Sequence, residues 1–140
     1  MKHVLVVMVG IVLMYFGLIF AASEFGGEVV TLLRPSADGD VDEVRIWFTD
    51  AETDAFIEHG TDGDWWLERL KAGGPLSLVR AGRKEDYHAV SAPDLHARYH
   101  ELRREKYGIA DQIIEQLSFS SVNTCDGVVV RLQRPGFSGT

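Results

Sequence analysis

Residues Val41–Arg80, VDEVRIWFTDAETDAFIEHGTDGDWWLERLKAGGPLSLVR, carry the patterns that decide the fold of this chain. Within them, apolar and polar residues alternate from Val44 to Thr49, as expected for a half-buried strand. Arg45 and Trp47 fall on the face opposite the apolar one, where a cation beside a flat ring would suit a wall of a cofactor site or a surface strand. We expect this segment to build most of the wall of any pocket.

A short strand and a short helix follow in the same segment. The strand is predicted over Ala55–Glu58 and runs into a loop at His59-Gly60. The helix is predicted over Asp64–Lys71, and the glycines and proline after it end it. Trp66 is four residues before Leu70 and should pack on the sheet with it, whereas Trp65 should face the loop.

The remainder of the head continues the alternation of hairpins and adds two helices. Four more strands are predicted: 28–34, 76–80, 83–91 and 128–132. Two helices are predicted over 93–108 and 109–117, and polar loop and tail segments follow at 118–126 and after 132. Six strands joined largely by hairpins, without a βαβ repeat, indicate an α+β, mainly β fold: a small antiparallel barrel with appended helices.

Net charge and the single cysteine exclude some classes of function. The chain carries a formal net charge of −7. Such a surface repels phosphate backbones, so nucleic acid is not an expected partner. Cys125 has no second cysteine with which to form an intrachain disulfide, and it is expected to be a partly buried thiol beside a turn.

An uncharged run from Val4 to Ala22 predicts a membrane-spanning helix. We therefore divide the chain into an anchor at residues 1–23 and a soluble domain at residues 24–140. A cleaved signal peptide is the alternative, because Lys2 precedes the run and small residues follow it. If the helix is retained, the protein is a single-pass membrane protein, and the charge of Lys2 places the head outside the cytoplasm.

His96 and His100 are spaced i, i+4 on the first of the two later helices and could both face a metal ion. No glutamate follows the first histidine, and no third ligand stands at a recognisable spacing. The prediction is therefore a solvated helix face without a metal site.

The order of elements, together with RIWF (45–48), the loop at His59-Gly60 and WWLERLKAGGP (65–75), resembles the flavin-binding split-barrel superfamily. The likeness is greatest to the branch of deazaflavin-dependent nitroreductases and quinone reductases. It covers the whole head, and REKYG (104–108) looks like the helical end of anchored members. Split barrels of this kind commonly dimerise across the cofactor groove, so the resemblance also implies a homodimer.

The resemblance implies an oxidoreductase that passes a hydride from a reduced deazaflavin or FMN to a quinone or nitro-compound at a membrane surface. Tyr107 would contact the acceptor or donate a proton. The implied cofactor-binding residues are Arg45, Trp47, His59, Gly60, Trp65, Trp66, Arg69 and Lys71.

One departure from the family leaves two alternatives. The family grips the phosphate-bearing tail with a basic turn between the first two strands, whereas this chain has the acidic turn PSADGD (35–40) there. Either Arg45, Arg69 and Lys71 hold the cofactor instead, or the domain has lost the cofactor and is a non-catalytic, membrane-tethered binding module.

Overall fold

The computed structural model describes residues 2–25, 27–61, 63–117 and 125–134. In these ranges a long N-terminal helix precedes one antiparallel sheet, three further α-helices and a short 3-10 helix at Pro93–Leu95. The elements are α1 (Lys2–Phe25), β1 (Val29–Pro35), β2 (Val41–Trp47), β3 (Thr49–Asp50), β4 (Asp54–Thr61), α2 (Trp65–Leu70), β5 (Gly74–Arg80), β6 (Arg83–Ser91), α3 (His96–Tyr107), α4 (Ile109–Leu117) and β7 (Gly127–Gln133). Most of the predicted loop at 118–126 and of the predicted tail after 132 lies outside the described residues.

The sheet has seven strands in the order β2-β1-β5-β6-β7-β4-β3, and it curls into a half-barrel with helices against it. The predicted number of six strands is therefore wrong. The additional strand is β3, whose Thr49 and Asp50 pair with Phe56 and Ala55 on β4. β2, which ends at Trp47, forms one edge of the sheet, and β3, which begins at Thr49, forms the opposite edge. The predicted single strand over Val44–Thr49 is therefore two strands.

The core lies inside the curl of the sheet. Its fully buried side chains include Leu32, Phe48, Ile57, Leu78 and Leu132, each with none of its surface exposed. Burying a side chain of this size contributes about 1.5–3 kcal/mol. The residues of α2 that close this core are Trp66, Leu67 and Leu70.

A second, smaller apolar cluster fixes α3 on the outside of the sheet. Tyr99 and Leu102 on α3 pack against Phe56 on β4 and Val129 on β7. The predicted boundary between the two helices is confirmed, because Gly108 ends α3 with a φ of 50°. These contacts fix the position of α3 against the outer face of strands β4 and β7.

The N-terminal helix α1 is long and apolar enough over His3–Ala21 to cross a membrane, with a mean hydropathy of 2.8. A signal sequence near an N-terminus would have the same character, and the side on which the head lies is not determined. α1 runs beside α4, where the Tyr15 hydroxyl donates a hydrogen bond to the Leu117 carbonyl.

Candidate functional site

A groove of about 280 Å³ lies where the end of the β1–β2 hairpin meets β4 and the two later helices. Its walls are Val29, Arg45, Ile46, Trp47, Glu58, Tyr99, Arg103 and Ile114. We refer to this cavity as the groove. Its lining combines two aromatic rings, two arginines, one glutamate and three aliphatic side chains. Two of the residues implied by the resemblance, Arg45 and Trp47, belong to it.

Trp47 is held in place by the elements around it. It ends β2 opposite Val29 on β1, and its ring packs against Tyr107 with 4.8 Å between the centroids. A methyl group added at Gly27 would come within 3.0 Å of the indole. The missing side chain at Gly27 therefore lets the tryptophan lie against the backbone at the edge of the groove.

Arg103 projects from α3 towards the aromatic wall of the groove. Its guanidinium carbon lies 5.7 Å from the centroids of both Trp47 and Tyr99, within the range of cation–π attraction. Its Nε donates to Asp111 Oδ1 at 2.5 Å, and its Nη1 donates to Glu58 Oε2 at 3.4 Å. Two carboxylates thus fix the orientation of the guanidinium.

The residues implied as cofactor ligands are divided between two cavities. Trp65, Trp66 and Arg69 line a second cavity of about 160 Å³ beside Pro35, together with Leu70, Gly74, Pro75 and Leu76. Val29 pairs with Trp47 at one end of the hairpin, and Pro35 pairs with Val41 at the other. Six residue steps of about 3.3 Å separate these ends, a distance of about 20 Å.

The other implied residues have structural partners of their own. The ring of His59 lies 5.3 Å from that of Trp66, and Gly60 approaches the Asp64 side chain so closely that an added methyl would lie 2.3 Å from its carboxylate. Burial, followed by the positive charge of Arg34, lowers the pKa of His59 below its ordinary value. Lys71 forms an ion pair of 2.7 Å with Glu68.

Tyr107, the implied proton donor, lies next to the groove but is directed into the backbone. Its hydroxyl donates to the Phe48 carbonyl and lies 3.2 Å from the Glu28 carbonyl oxygen. Burial raises the pKa of this phenol. A proton transfer to a substrate would require the hydroxyl to leave both carbonyls.

Beyond the groove wall, Glu58 reaches a cluster that the sequence did not predict. Its Oε1 lies 2.9 Å from His96 Nε2, 3.3 Å from His100 Nε2 and 3.4 Å from Cys125 Sγ. The prediction of a solvated face for both histidines is wrong, because His100 is 3% exposed and His96 is half-buried. The spacing of the histidines was visible in the sequence. Glu58 on β4 and Cys125, two residues before β7, are far from them along the chain.

The environment shifts the pKa values of the groups around this cluster. Burial favours the neutral carboxyl of Glu58, but His100 and Arg103 outweigh it and lower its pKa below the ordinary 4.5. Burial raises the pKa of the Cys125 thiol, and the nearby Glu58 charge adds to the effect. Burial also raises the pKa of the Tyr99 phenol, which therefore stays neutral.

No protein-family model and no curated protein sequence matches this chain. Among solved structures, the chain is similar to the crystal structure of HutZ, the heme storage protein from Vibrio cholerae, with a TM-score of 0.53 and 16% sequence identity. The match covers 76% of this chain and 81% of the HutZ chain. At this identity the likeness concerns the fold alone, and it supports a split-barrel-like architecture.

Proposed function

We propose that the protein is a membrane-tethered split-barrel domain that binds a planar, conjugated ligand with acidic groups in the groove. The observation that carries this proposal is that Trp47, Arg45 and Arg103 line one cavity, with the Arg103 guanidinium carbon 5.7 Å from the centre of the indole. A conjugated ring can stack on an indole, and the Arg45 guanidinium can recognise a carboxylate or phosphate. Arg103 is already paired with Asp111 and Glu58, so Arg45 is the main partner we propose for the acidic group. Flavins, deazaflavins and haem all share this chemistry.

The size of the groove favours the smaller members of that group. Ligand pockets usually enclose about 300–1,000 Å³, and the groove lies near the lower limit. A tricyclic flavin or deazaflavin ring is smaller than a porphyrin, so it fits this space better, with its acidic tail outside. Haem, which HutZ stores, is the other ligand of this chemistry to be tested.

The acidic turn between β1 and β2 does not oppose binding in the groove. Pro35, where the turn begins, is about 20 Å along the hairpin from Val29. That distance exceeds the Debye length of about 8 Å at physiological salt, so its charges are largely screened from a ligand beside Trp47. The acidic turn, which stands where the family has a basic one, begins at Pro35, a residue that lines the second cavity and not the groove.

The position of the groove close to α1 supports an acceptor that is dissolved in the membrane. Val29 is four residues after Phe25, the last residue of α1, and therefore within about 14 Å of it along the chain. A quinone reduced by hydride transfer from the bound cofactor is the activity we favour, since the cofactor itself supplies the redox chemistry. A domain that binds the ligand without turnover is the second candidate, which the hydrogen bonds of Tyr107 favour.

The test is equilibrium binding to the full-length protein in detergent, with FMN, a deazaflavin and haemin as separate ligands. Arg45→Ala should weaken binding about tenfold, because it removes one charge-assisted contact worth about 1.5 kcal/mol. Arg83→Ala is the matched control, since Arg83 is an exposed arginine on β6 that does not line the groove. A soluble quinone would then be added to the protein with its cofactor bound and reduced. Oxidation of the cofactor would indicate an enzyme, and no oxidation would indicate a binding module.

Absence of binding by all three ligands at tens of micromolar would contradict the proposal. Equal affinities of the Arg45 and Arg83 variants would place the ligand elsewhere. Haemin binding with no flavin binding would retain the groove but reject the hydride-transfer activity.

A further inference from the structure

We propose that Glu58, His96, His100 and Cys125 form a binding site for one tetrahedrally coordinated transition-metal ion of the zinc class. The site shares Glu58 with the groove, but the proposal does not depend on which ligand the groove binds. Each residue offers one ligand atom, and the four atoms all lie within 4.8 Å of one another.

Four of the six distances between the ligand atoms are close to those that a tetrahedral ion requires. Bonds of 2.0–2.3 Å separate the ligand atoms of a tetrahedral ion by about 3.3–3.8 Å. The two histidine Nε2 atoms are 3.2 Å apart, and Glu58 Oε1 lies at 2.9, 3.3 and 3.4 Å from the other three ligand atoms. The remaining two distances, from Cys125 Sγ to the histidine nitrogens, are at most 4.8 Å, so the thiol would move towards the histidines on binding.

The kinds of donor atom indicate which metals fit. Two imidazoles and a thiolate are ligands for zinc and its neighbours in the first transition row, whereas magnesium and calcium need oxygen ligands. A divalent ion bound by neutral histidines, the Glu58 carboxylate and the Cys125 thiolate gives a site with no net charge. Binding must displace the thiol proton, since the metal ligand is the thiolate.

Three of the four ligands lie on a helix or a strand, and the fourth, Cys125, stands two residues before a strand. His96 and His100 stand one turn apart on α3, Glu58 is on β4, and Cys125 precedes β7. A methyl group at Gly127 would lie 2.6 Å from Glu58 Cγ, so the glycine makes room for the Glu58 side chain. This arrangement places the ligands before a metal arrives, which lowers the ordering cost of binding.

Groups around the ligands provide outer support and a route from solvent. Arg103 contacts the second carboxylate oxygen of Glu58, and Glu115 Oε1 lies 3.8 Å from His100 Nδ1. Carboxylates commonly orient metal-bound histidines from this side. His96 and Cys125 also line an open cavity with Thr61 and Pro93, through which an ion can enter.

A purely hydrogen-bonded cluster is the competing explanation. It would direct three donors at the single Glu58 Oε1 while holding two imidazole nitrogens 3.2 Å apart. His100 Nδ1 is buried without a hydrogen-bond partner among the described residues, so it does not contribute to such a cluster. A metal ion uses the Nε2 lone pairs and leaves the Nδ1 proton facing Glu115.

The experiment is a titration of untagged, full-length protein in detergent with cobalt(II) as a spectroscopic probe. We expect one ion per chain, intense visible absorption from tetrahedral cobalt and a thiolate-to-cobalt charge-transfer band in the near ultraviolet. Zinc should displace the cobalt. His100→Ala and His96→Ala should each weaken binding at least about 100-fold, because each removes a direct ligand where loss of an outer partner alone costs 10–100-fold.

Two further variants keep the test decisive if His100→Ala does not fold. Cys125→Ser should abolish the charge-transfer band, however tightly the variant binds cobalt, because Cys125 supplies the one sulfur ligand of the proposed site. His88→Ala, at an exposed histidine on β6, should bind like the wild type. A charge-transfer band retained in Cys125→Ser would overturn the proposal. So would wild-type binding that is weak and octahedral, or that His96→Ala leaves unchanged.

Discussion

Glu58 connects the two candidate sites, because its carboxylate oxygens face different neighbours. Oε1 contacts the two histidines and the cysteine, while Oε2 contacts Arg103 in the groove. A substitution at Glu58 would therefore disturb both sites at once. Variants at Arg45 and at His96 address them separately.

The Arg103–Asp111 pair is the most deeply buried ion pair near the groove, and we predict that it is important for stability. Asp111 is fully buried, and its Oδ2 has no hydrogen-bond partner among the described residues. Asp111→Asn should lower the free energy of unfolding by about 3 kcal/mol, because it leaves the arginine without its main buried counter-charge. Urea unfolding of the full-length protein in detergent, followed by tryptophan fluorescence, measures the change.

Glu101→Gln is the control for that measurement. Glu101 pairs with Arg98 on the exposed face of α3, where an ion pair contributes at most about 1 kcal/mol. A loss of stability in Asp111→Asn no larger than in Glu101→Gln would show that the buried pair does not stabilise the fold.

At the scale of helices and strands, local signals in the sequence were sufficient for most of the architecture. Pro93 and Gly108 mark the region of α3, and the Ala81-Gly82 turn takes positive φ angles of 48° and 74° between β5 and β6, as a two-residue hairpin requires. β3 could not be predicted, because its two residues are a strand by virtue of pairing with β4. The cluster of Glu58, His96, His100 and Cys125 could not be predicted either, because Cys125 meets Glu58 across 67 positions of sequence.

Four elements of the head are joined by one network of ion pairs. Glu28 precedes β1, Asp50 is on β3, Arg80 ends β5, and Lys106 is in the last turn of α3. Arg80 and Lys106 each contact both carboxylates at 2.5–3.1 Å. Burial alone would raise the pKa of each carboxyl, but the two cations outweigh it and lower both pKa values below the ordinary 4.5 and 3.8.

This network predicts a loss of stability in acid. In the unfolded chain the two carboxyls take up protons at their ordinary pKa values, which are higher than their pKa values in the folded protein. The stabilising contribution of the network is therefore complete above about pH 4.5. It decreases as the pH falls through the pKa values of the folded carboxyls. Glu28→Gln should therefore flatten the dependence of unfolding free energy on pH below that point. Denaturant titrations at a series of pH values give the slope.

Glu43→Gln serves as the comparison, because Glu43 is an exposed glutamate on β2 outside the network. If Glu28→Gln and Glu43→Gln change the slope equally, the network is not the source of the acid sensitivity.

At the scale of the whole molecule, the proposed ligand groove lies at the end of the head that follows α1. The likeness to HutZ and the half-barrel support the split-barrel architecture, while the homodimer and the division at residue 23 remain predictions. The sequence predicted Arg45 and Trp47 as neighbours on one strand face. It could not show that Trp65, Trp66 and Arg69 lie at the opposite end of the hairpin, because that separation depends on the register of β1 against β2.

The three tryptophans allow the central claim to be tested in one measurement. Trp47 lines the groove, whereas Trp65 and Trp66 line the second cavity. In a two-dimensional NMR spectrum of the full-length protein in detergent, each indole N–H gives one signal, and Trp47→Phe identifies the first. We predict that FMN or a deazaflavin shifts the Trp47 signal and leaves the other two in place. Shifts confined to Trp65 and Trp66, or no shift at saturating ligand, would contradict the proposed groove.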